Sequence, residues 1–282
     1  MKKVAVVADS TCCLPKELIE KYDIHLVPLQ IVYEGKTYRD RVDITPDEVF
    51  KIMRRRKNLP STSNPLIADF ADVCRTVGQK AESILCITVT GLQSSTHDIA
   101  RMAKDAMAEI PIEVMDSRAV AGAFGFIVLE AARAAADGAD LNNVMEVAQN
   151  IKGKVNAIFA LDTLYYLART GRIARAAAWA GSLLNMKPVV EHSPSIGETT
   201  PLARPRNKAK AVEYMLKTMA GRVKNASLHV MVHHADEPEE GKKLMDKIGS
   251  GFNCIELYLT DFTPGMGVHC GPGMLGISFY TD

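Results

Sequence analysis

Three short strand-like runs in the first half of the chain, the apolar Val4–Ala8 and Ile84–Val89 and the further strand Ile112–Met115, are each followed by polar residues that start a helix. This alternation constrains the fold more than any other feature. A strand that is apolar on both faces must be covered on both, and the helices between successive parallel strands supply the cover. Asp9-Ser10-Thr11 closes the first run, Asp116-Ser117 closes the third, and Ser94-Ser95-Thr96 opens the helix after the second. Pro15–Tyr22 fits a helix, Asp43-Ile44-Thr45-Pro46-Asp47-Glu48 opens another, and Ser63-Asn64-Pro65 introduces a third. That third helix places Ile67, Phe70, Ala71, Cys74 and Val77 at helical spacing, and a fourth does the same with Ile99, Met102, Ala103, Ala106 and Met107. His25–Tyr33 reads as one further strand. Ala119–Ala136 is the longest apolar passage, but Glu130 and Arg133 interrupt it, so it reads as a buried helix and not as a membrane span. Residues 1–153 are therefore predicted to form a parallel-sheet α/β/α domain.

Past residue 152 the pattern changes. Ala157–Leu161, Pro188–Glu191, Thr199–Ala203, Leu228–His233, Ile255–Thr260 and Leu275–Tyr280 read as short strands. Helices are expected at Ala174–Leu184, Lys208–Val223 and Pro238–Ile248, and Pro194-Ser195-Ile196-Gly197 suggests a hairpin tip. Residues 154–282 are thus expected to form an α+β domain with a largely antiparallel sheet, the boundary falling at Gly153-Lys154. Two domains suit a chain of 282 residues.

Composition narrows the function. The 34 basic and 33 acidic side chains leave a net charge of +1, which gives no reason to expect nucleic acid or an anionic membrane as a standing partner. None of the six cysteines forms a C-x-x-C, and Cys12 and Cys13 are adjacent, an awkward geometry for a mutual disulfide. Free thiols in a reducing cytoplasm are expected. Met1-Lys2-Lys3 leads at once into Val4-Ala5-Val6-Val7, too short for a signal peptide's apolar core, so the expected location is cytoplasmic.

Ligands of parallel sheets gather outside the carboxyl ends of the strands, at loops leading into helices. Asp9-Ser10-Thr11, Thr62-Ser63 and Ser94-Ser95-Thr96 are expected at such helix starts, where free N–H groups and the positive end of the helix dipole favour anions. Each hydroxyl is equally explained as the cap of its own helix. Only convergence in space would separate the two explanations. Near the end of the chain, Val268-His269-Cys270-Gly271-Pro272-Gly273-Met274-Leu275-Gly276 reads as a rigid turn that fixes where the His269 imidazole points. A nucleotide site is disfavoured, because no glycine fingerprint follows the first strand and no G-x-x-x-x-G-K-[ST] occurs. No metal site is expected: His233 and His234 are adjacent, would point to opposite faces of a strand, and read as solvated surface. A serine-dependent ester or thioester hydrolase is the rival, with Ser94 or Ser95, His269 and an acid such as Asp9 as its triad. Gly91-Leu92-Gln93-Ser94-Ser95 is not a G-x-S-x-G elbow, which counts against it.

Asp9-Ser10-Thr11, Val27-Pro28-Leu29, Asp40, Thr62-Ser63-Asn64-Pro65, Ser94-Ser95-Thr96, Val114-Met115-Asp116-Ser117, Leu167-Ala168-Arg169-Thr170-Gly171-Arg172-Ile173, Lys187-Pro188 and the His269 loop occur in that order. In this ordered combination the whole chain resembles the DegV family, the bacterial fatty-acid-binding proteins also called FakB. The resemblance implies two α/β domains with a long-chain fatty acid buried between or within them. It implies a non-enzymatic carrier without a cofactor, which presents the acid to a separate fatty acid kinase that phosphorylates its carboxylate to an acyl phosphate. Transient membrane contact is compatible with that role. By position, Thr62, Ser63, Ser94, Ser95 and His269 fall at the carboxylate, Arg172 at the head-group end, and Arg204, in a basic run before a helix, at the head-group end or a kinase contact. Two departures stand out. Leu66 replaces a serine of the family pattern, and Ser95 replaces a glycine, where its side chain would narrow the space beside the head group or alter a backbone amide contact.

A carboxylate pocket of this kind makes physical sense. Burying an acyl chain gains about 0.8 kcal/mol per methylene, so roughly fifteen methylenes give on the order of 12 kcal/mol before costs. The tail supplies affinity, and the head group supplies orientation, since a carboxylate sealed from water must find donors. Ala119–Ala136 and Ala174–Leu184, with Phe124, Phe126, Ile127, Leu129, Trp179, Leu183 and Leu184, are the expected walls of an apolar tunnel.

Overall fold

In chain order, the first strand β1 (Lys2–Asp9) runs into a 3-10 turn at Ser10–Cys12 and then helix α1 (Lys16–Lys21). The single strand expected over His25–Tyr33 is divided at Pro28-Leu29. β2 (His25–Val27) pairs parallel with β1, whereas β3 (Gln30–Tyr33) leaves that sheet and pairs antiparallel with β4 (Lys36–Arg39). Proline has no N–H to offer a ladder, so Pro28 is where the chain changes sheets. Helix α2 (Pro46–Arg54) starts on a capping box: Glu48 N donates to Thr45 Oγ1 at 3.3 Å and Thr45 N donates to Glu48 Oε2 at 2.8 Å. β5 (Ser61–Ser63) pairs antiparallel with β3, with Thr62 opposite Ile31. α3 (Ile67–Gly78), β6 (Ala81–Thr88), α4 (Thr96–Asp105), β7 (Ile112–Asp116), α5 (Ala121–Ala136) and α6 (Leu141–Lys154) complete this half. The computed structural model describes residues 1–55, 57–107, 109–173 and 186–282.

The second half continues with β8 (Asn156–Ala160), α7 (Tyr165–Arg169), β9 (Val189–Ser193), β10 (Glu198–Ala203), α8 (Lys208–Val223), β11 (Leu228–His234), α9 (Pro238–Gly251), β12 (Cys254–Asp261), α10 (Pro264–Cys270) and β13 (Leu275–Thr281). The helix expected at Ala174–Leu184 lies outside the described residues. Among the described residues, a parallel sheet has the order β2-β1-β6-β7 and a six-stranded sheet the order β10-β9-β8-β13-β11-β12. Every pairing of the larger sheet is antiparallel except β11 with β12. The fold is therefore α/β, with a parallel sheet and a separate mixed, mostly antiparallel one. The small sheet β4-β3-β5 has no counterpart in the sequence reading. Residue 154 is the last of α6, two residues before β8 opens the second sheet.

Helix α5 joins the two sheets. Phe124, Phe126, Ile127, Val128 and Leu129 are fully buried, and the helix packs on β1 and the 3-10 turn on one side and on β8 and β13 on the other. Two glycines permit the close approach. A Cβ at Gly125 would lie 2.4 Å from the Cys12 carbonyl oxygen, and one at Gly122 would lie 2.5 Å from His233 Nε2. A helix that is apolar all round from Ala121 to Leu129 has to be enclosed over that length, and here both sheets and α6 enclose it.

His233 and His234 point to opposite faces of β11, as expected, but neither is solvated. His233 faces α5 and is bonded to Thr260 Oγ1 at 2.8 Å and Ser278 Oγ at 3.0 Å, while burial lowers its pKa to about 3. His234 packs against Gly241 of α9, and its Nε2 meets Asp261 Oδ1 at 2.7 Å. Each ring found hydrogen-bonding partners inside the protein, which a sequence does not display. Among the described residues no helix is long and apolar enough to cross a membrane.

Replacing Gly125 with Ala is expected to lower the unfolding free energy by about 1–3 kcal/mol through overpacking against backbone. Urea denaturation measures this, and a loss below about 0.5 kcal/mol would contradict the wedged position of α5.

Candidate functional site

The carboxyl ends of the parallel strands face the second sheet across a cavity of about 230 Å³. Thr11, Val89 and Val120, which follow β1, β6 and β7, form one side. Phe159, Leu161, Val190 and Thr199 of the larger sheet and the loop after β8 form the other, with Phe262 nearby. The Phe159 and Phe262 rings meet edge to face with centroids 5.8 Å apart, backed by the His233 ring. The apolar lining residues are nearly all buried, whereas Thr62, Ser63, Asn64, Gln93, Ser94, Arg172 and His269 are partly or fully exposed. The cavity is thus polar where solvent reaches it and mostly apolar in depth, where Thr11 and Thr199 are the buried polar residues of its lining.

Local structure sets each polar group. Thr62 is carried by β5, not by a helix start, and Arg169 steadies the approach to that strand by donating to the Pro60 carbonyl at 2.9 Å and the Leu59 carbonyl at 3.0 Å. His269 stands in the last turn of α10, not in the glycine turn expected from sequence. Thr263 caps that helix, with Met266 N donating to its Oγ1 at 3.3 Å, and Gly271 ends it at φ 76°. A Cβ at Gly271 would lie 2.1 Å from the Tyr166 ring, so both its φ and its surroundings demand glycine. Across 207 residues of sequence, Thr62 Oγ1 and His269 Nε2 come within 3.0 Å. Ser94 Oγ donates to Asn64 Oδ1 at 3.2 Å and lies 2.8 Å from Thr96 Oγ1. Gln93 Nε2 donates to the Arg172 carbonyl and to Thr199 Oγ1, each at 3.3 Å, and Arg172 Nε returns a bond to the Gln93 carbonyl at 3.3 Å.

Thr62, Ser63, Ser94, Arg172 and His269 therefore line one cavity. Ser95 and Arg204 do not. Ser95 is the exposed residue that precedes α4, and Arg204 is exposed just beyond β10. The side chain at position 95 consequently does not narrow the cavity. Leu66 is also exposed, ahead of α3, and its backbone N–H is held by Asp69 at 2.8 Å. Of the Asp9-Ser10-Thr11 cluster only Thr11 lines the cavity, and Asn64 and Gln93, neighbours of the candidate residues Ser63 and Ser94, line it as well. Of the stretch Ala119–Ala136, only Val120 reaches the cavity. Phe124, Phe126, Ile127 and Leu129 are core residues of α5, and Trp179, Leu183 and Leu184 lie outside the described residues.

The electrostatics favour an anion. Among the described residues that line the cavity there is no Asp or Glu, and they include Arg172. Burial, then Arg172 and Arg169, lowers the His269 pKa to about 3, so the ring is neutral at pH 7. Among the described residues its Nδ1 is buried without a hydrogen-bond partner, an unfilled polar capacity of the kind found at functional sites. Asp9 lies behind the wall: its carboxylate accepts from Val89 N at 2.7 Å and Thr11 N at 3.1 Å, and burial raises its pKa to about 6. A hydrolytic triad is not assembled. Ser94 is bonded to Asn64, His269 to Thr62, and Asp9 to Thr11 and Val89. Elsewhere Glu130, His229 and Glu256 approach one another, but Arg133 pairs with both carboxylates at 2.6 Å and already supplies the cation.

The family model described as "Uncharacterised protein, DegV family" matches residues 3–282. The chain belongs to the DegV family. A DegV domain-containing protein of Clostridium acetobutylicum is 33% identical over 284 residues, covering 99% of this chain and 98% of the relative. Among solved structures, a DegV family protein from Thermus thermophilus, described by its fatty acid binding, is 29% identical with a TM-score of 0.92 over 100% of both chains. DegV of Bacillus subtilis, described as a fatty acid binding protein, is 28% identical with a TM-score of 0.91 over 100% of both chains. A stearic acid-binding protein from Eubacterium ventriosum is 29% identical with a TM-score of 0.90, covering 100% of this chain and 98% of that one.

Because the folded pKa of His269, about 3, is below the ordinary value of 6.5, its neutral ring stabilises the fold above pH 6.5 and that contribution is lost as pH falls toward 3. His269→Gln is therefore expected to show a smaller loss of stability than the parent between pH 7 and pH 4.5 in urea titrations. NMR of the ring should show it neutral at pH 5, and a ring that titrates near 6.5 would contradict the buried geometry.

Proposed function

We propose that this protein binds a long-chain fatty acid, with its tail in the cavity between the two sheets and its carboxylate at Thr62, Ser94 and His269. The observation that carries this reading is the Thr62–His269 contact at 3.0 Å, which brings a hydroxyl and a neutral imidazole, with one free donor between them, beside Arg172 at the mouth of a largely apolar cavity. Ser63, with an exposed hydroxyl on the same rim, is a further donor to the head group. The fatty acid binding described for family members of 28–29% identity over the full chain supports it.

The same reading makes the protein a carrier and not an enzyme, working in the cytoplasm, where its six unpaired thiols would stay reduced. It hands the acid to a fatty acid kinase. Support for this last step is chemical: hydroxyls and a neutral imidazole orient a carboxylate without neutralising it, so an oxygen stays nucleophilic toward a phosphoryl donor. Arg172, with a cationic side chain at the same mouth, would attract both the carboxylate and an incoming phosphoryl group. Arg204 lies apart from the cavity and fits a contact with the kinase better than one with the lipid.

Protein purified from a bacterial host is expected to carry a copurifying fatty acid, visible by native mass spectrometry or organic extraction. Protein that is empty and also fails to take up oleate or palmitate would overturn the proposal. His269→Ala, or the pair Thr62→Ala with Ser94→Ala, is expected to weaken palmitate retention about tenfold or more, since each removes donors worth about 1–3 kcal/mol to a charged acceptor. Unchanged retention in a folded variant would remove those residues from the site.

A further inference from the structure

Asp40, the residue after β4, is a buried carboxylate that does not line the cavity. Its Oδ2 accepts from Ser10 Oγ at 2.6 Å and its Oδ1 accepts from Gly265 N at 3.3 Å, with the Thr263 side chain as a further partner. Its own N–H donates to the Leu29 carbonyl at 2.8 Å, and Leu29 N donates to Ser10 Oγ at 3.1 Å. These donors are neutral, and the neighbouring Arg41 guanidinium is turned to the carbonyls of Leu14 and Asp261. An acid buried on neutral donors is expensive, so its placement calls for a reason.

The reason lies in what the carboxylate ties together. Thr263 and Gly265 are the cap and first turn of α10, and His269 stands one turn further along the same helix. Ser10 precedes the lining residue Thr11, and Leu29 itself lines the cavity. The fit is close: a Cβ at Gly265 would lie 3.1 Å from Asp40 Oδ2, so any larger residue there would press on the carboxylate and displace it by a few tenths of an ångström. A short helix moves as a unit, and a shift at Gly265 carries His269 with it.

We propose that Asp40 is a positioning residue: seated on Ser10, it fixes the start of α10 and thereby holds His269 Nε2 against Thr62 Oγ1, giving the site its preference for a carboxylate over an uncharged head group. The inference rests on the fatty-acid reading above. It makes a demand that a merely stabilising role does not, because only the head-group end should respond.

The test compares palmitate with hexadecanol, which shares its chain length and lacks the carboxylate, by native mass-spectrometry titration of delipidated full-length protein. Asp40→Ala is expected to weaken palmitate about tenfold or more, a loss of the size of a hydrogen-bonded contact to a charged group, while hexadecanol changes less than about twofold. Asp40→Asn keeps an acceptor for Gly265 N and a contact to the Ser10 hydroxyl, and is expected to restore most of the palmitate affinity. G265A pushes on the carboxylate from the other side and is expected to reproduce the selective loss, which keeps the comparison available if Asp40→Ala fails to fold in a thermal melt. Equal loss of both lipids, unchanged palmitate affinity in both Asp40→Ala and G265A, or no rescue by Asn would overturn the proposal. Failure of the parent protein to bind palmitate would instead overturn the fatty-acid reading.

Discussion

The enclosure of α5 is the constraint on which the remaining structure depends. A helix whose residues from Ala121 to Leu129 are all buried, with Phe124, Phe126, Ile127, Val128 and Leu129 fully so, has no face for water over that length, so the parallel sheet, the mixed sheet and α6 close on it. Gly122 and Gly125 let them come close enough to do so. The two sheets are thereby joined in one apolar core along the body of α5. At its N-terminal end they part, and Val120, the residue ahead of the helix, is where core gives way to cavity.

From that geometry the chemistry follows. Strand ends and the loops beyond them supply the walls, so backbone and hydroxyl groups are available at the mouth, while Phe159 and Phe262 keep the depth apolar. A ligand matched to such a space has a greasy body and one small anionic end. Its transfer from water is driven by area and its orientation by a few donors, two roles that fall on different residues. Asp9 and Asp40 illustrate the cost of building that mouth: two carboxyl groups are buried behind it, both with pKa raised by burial, to order the loops that present Thr11, Val89, Leu29 and His269.

How much of this was legible in the sequence depended on whether the signal was local. Val4–Ala8 and Ile84–Val89 announce buried parallel strands because apolar runs of that length have few other uses, and the change of pattern after residue 152 marks the second sheet. Ser61–Ser63 carries no strand signature: it is polar, three residues long, and becomes a strand only because Pro28 sends β3 out of the parallel sheet to meet it. The glycines around His269 were read as one turn, yet Pro264 and the Thr263 cap start a short helix ahead of them, and Gly271 only ends it. Adjacent histidines on opposite faces of a strand suit no shared metal and read as surface, yet partners 27 to 45 residues away in sequence bury both His233 and His234. The aromatic residues of α5 were expected to wall a tunnel, whereas the cavity is walled by single residues from many segments, a pattern with no sequence periodicity to betray it. Thr62, Ser94 and His269 each stand out locally in the sequence, but only the ordered resemblance to DegV proteins joins them in one site, since nothing in their spacing places them together.

A crystal structure of the protein with a bound long-chain fatty acid tests the central claim most directly. The account predicts carboxylate oxygens within hydrogen-bonding distance of the Thr62 and Ser94 hydroxyls and the His269 imidazole, with the acyl chain running past Phe159 and Phe262 between the sheets. A lipid bound with its head group elsewhere, or with its chain outside that space, would contradict it.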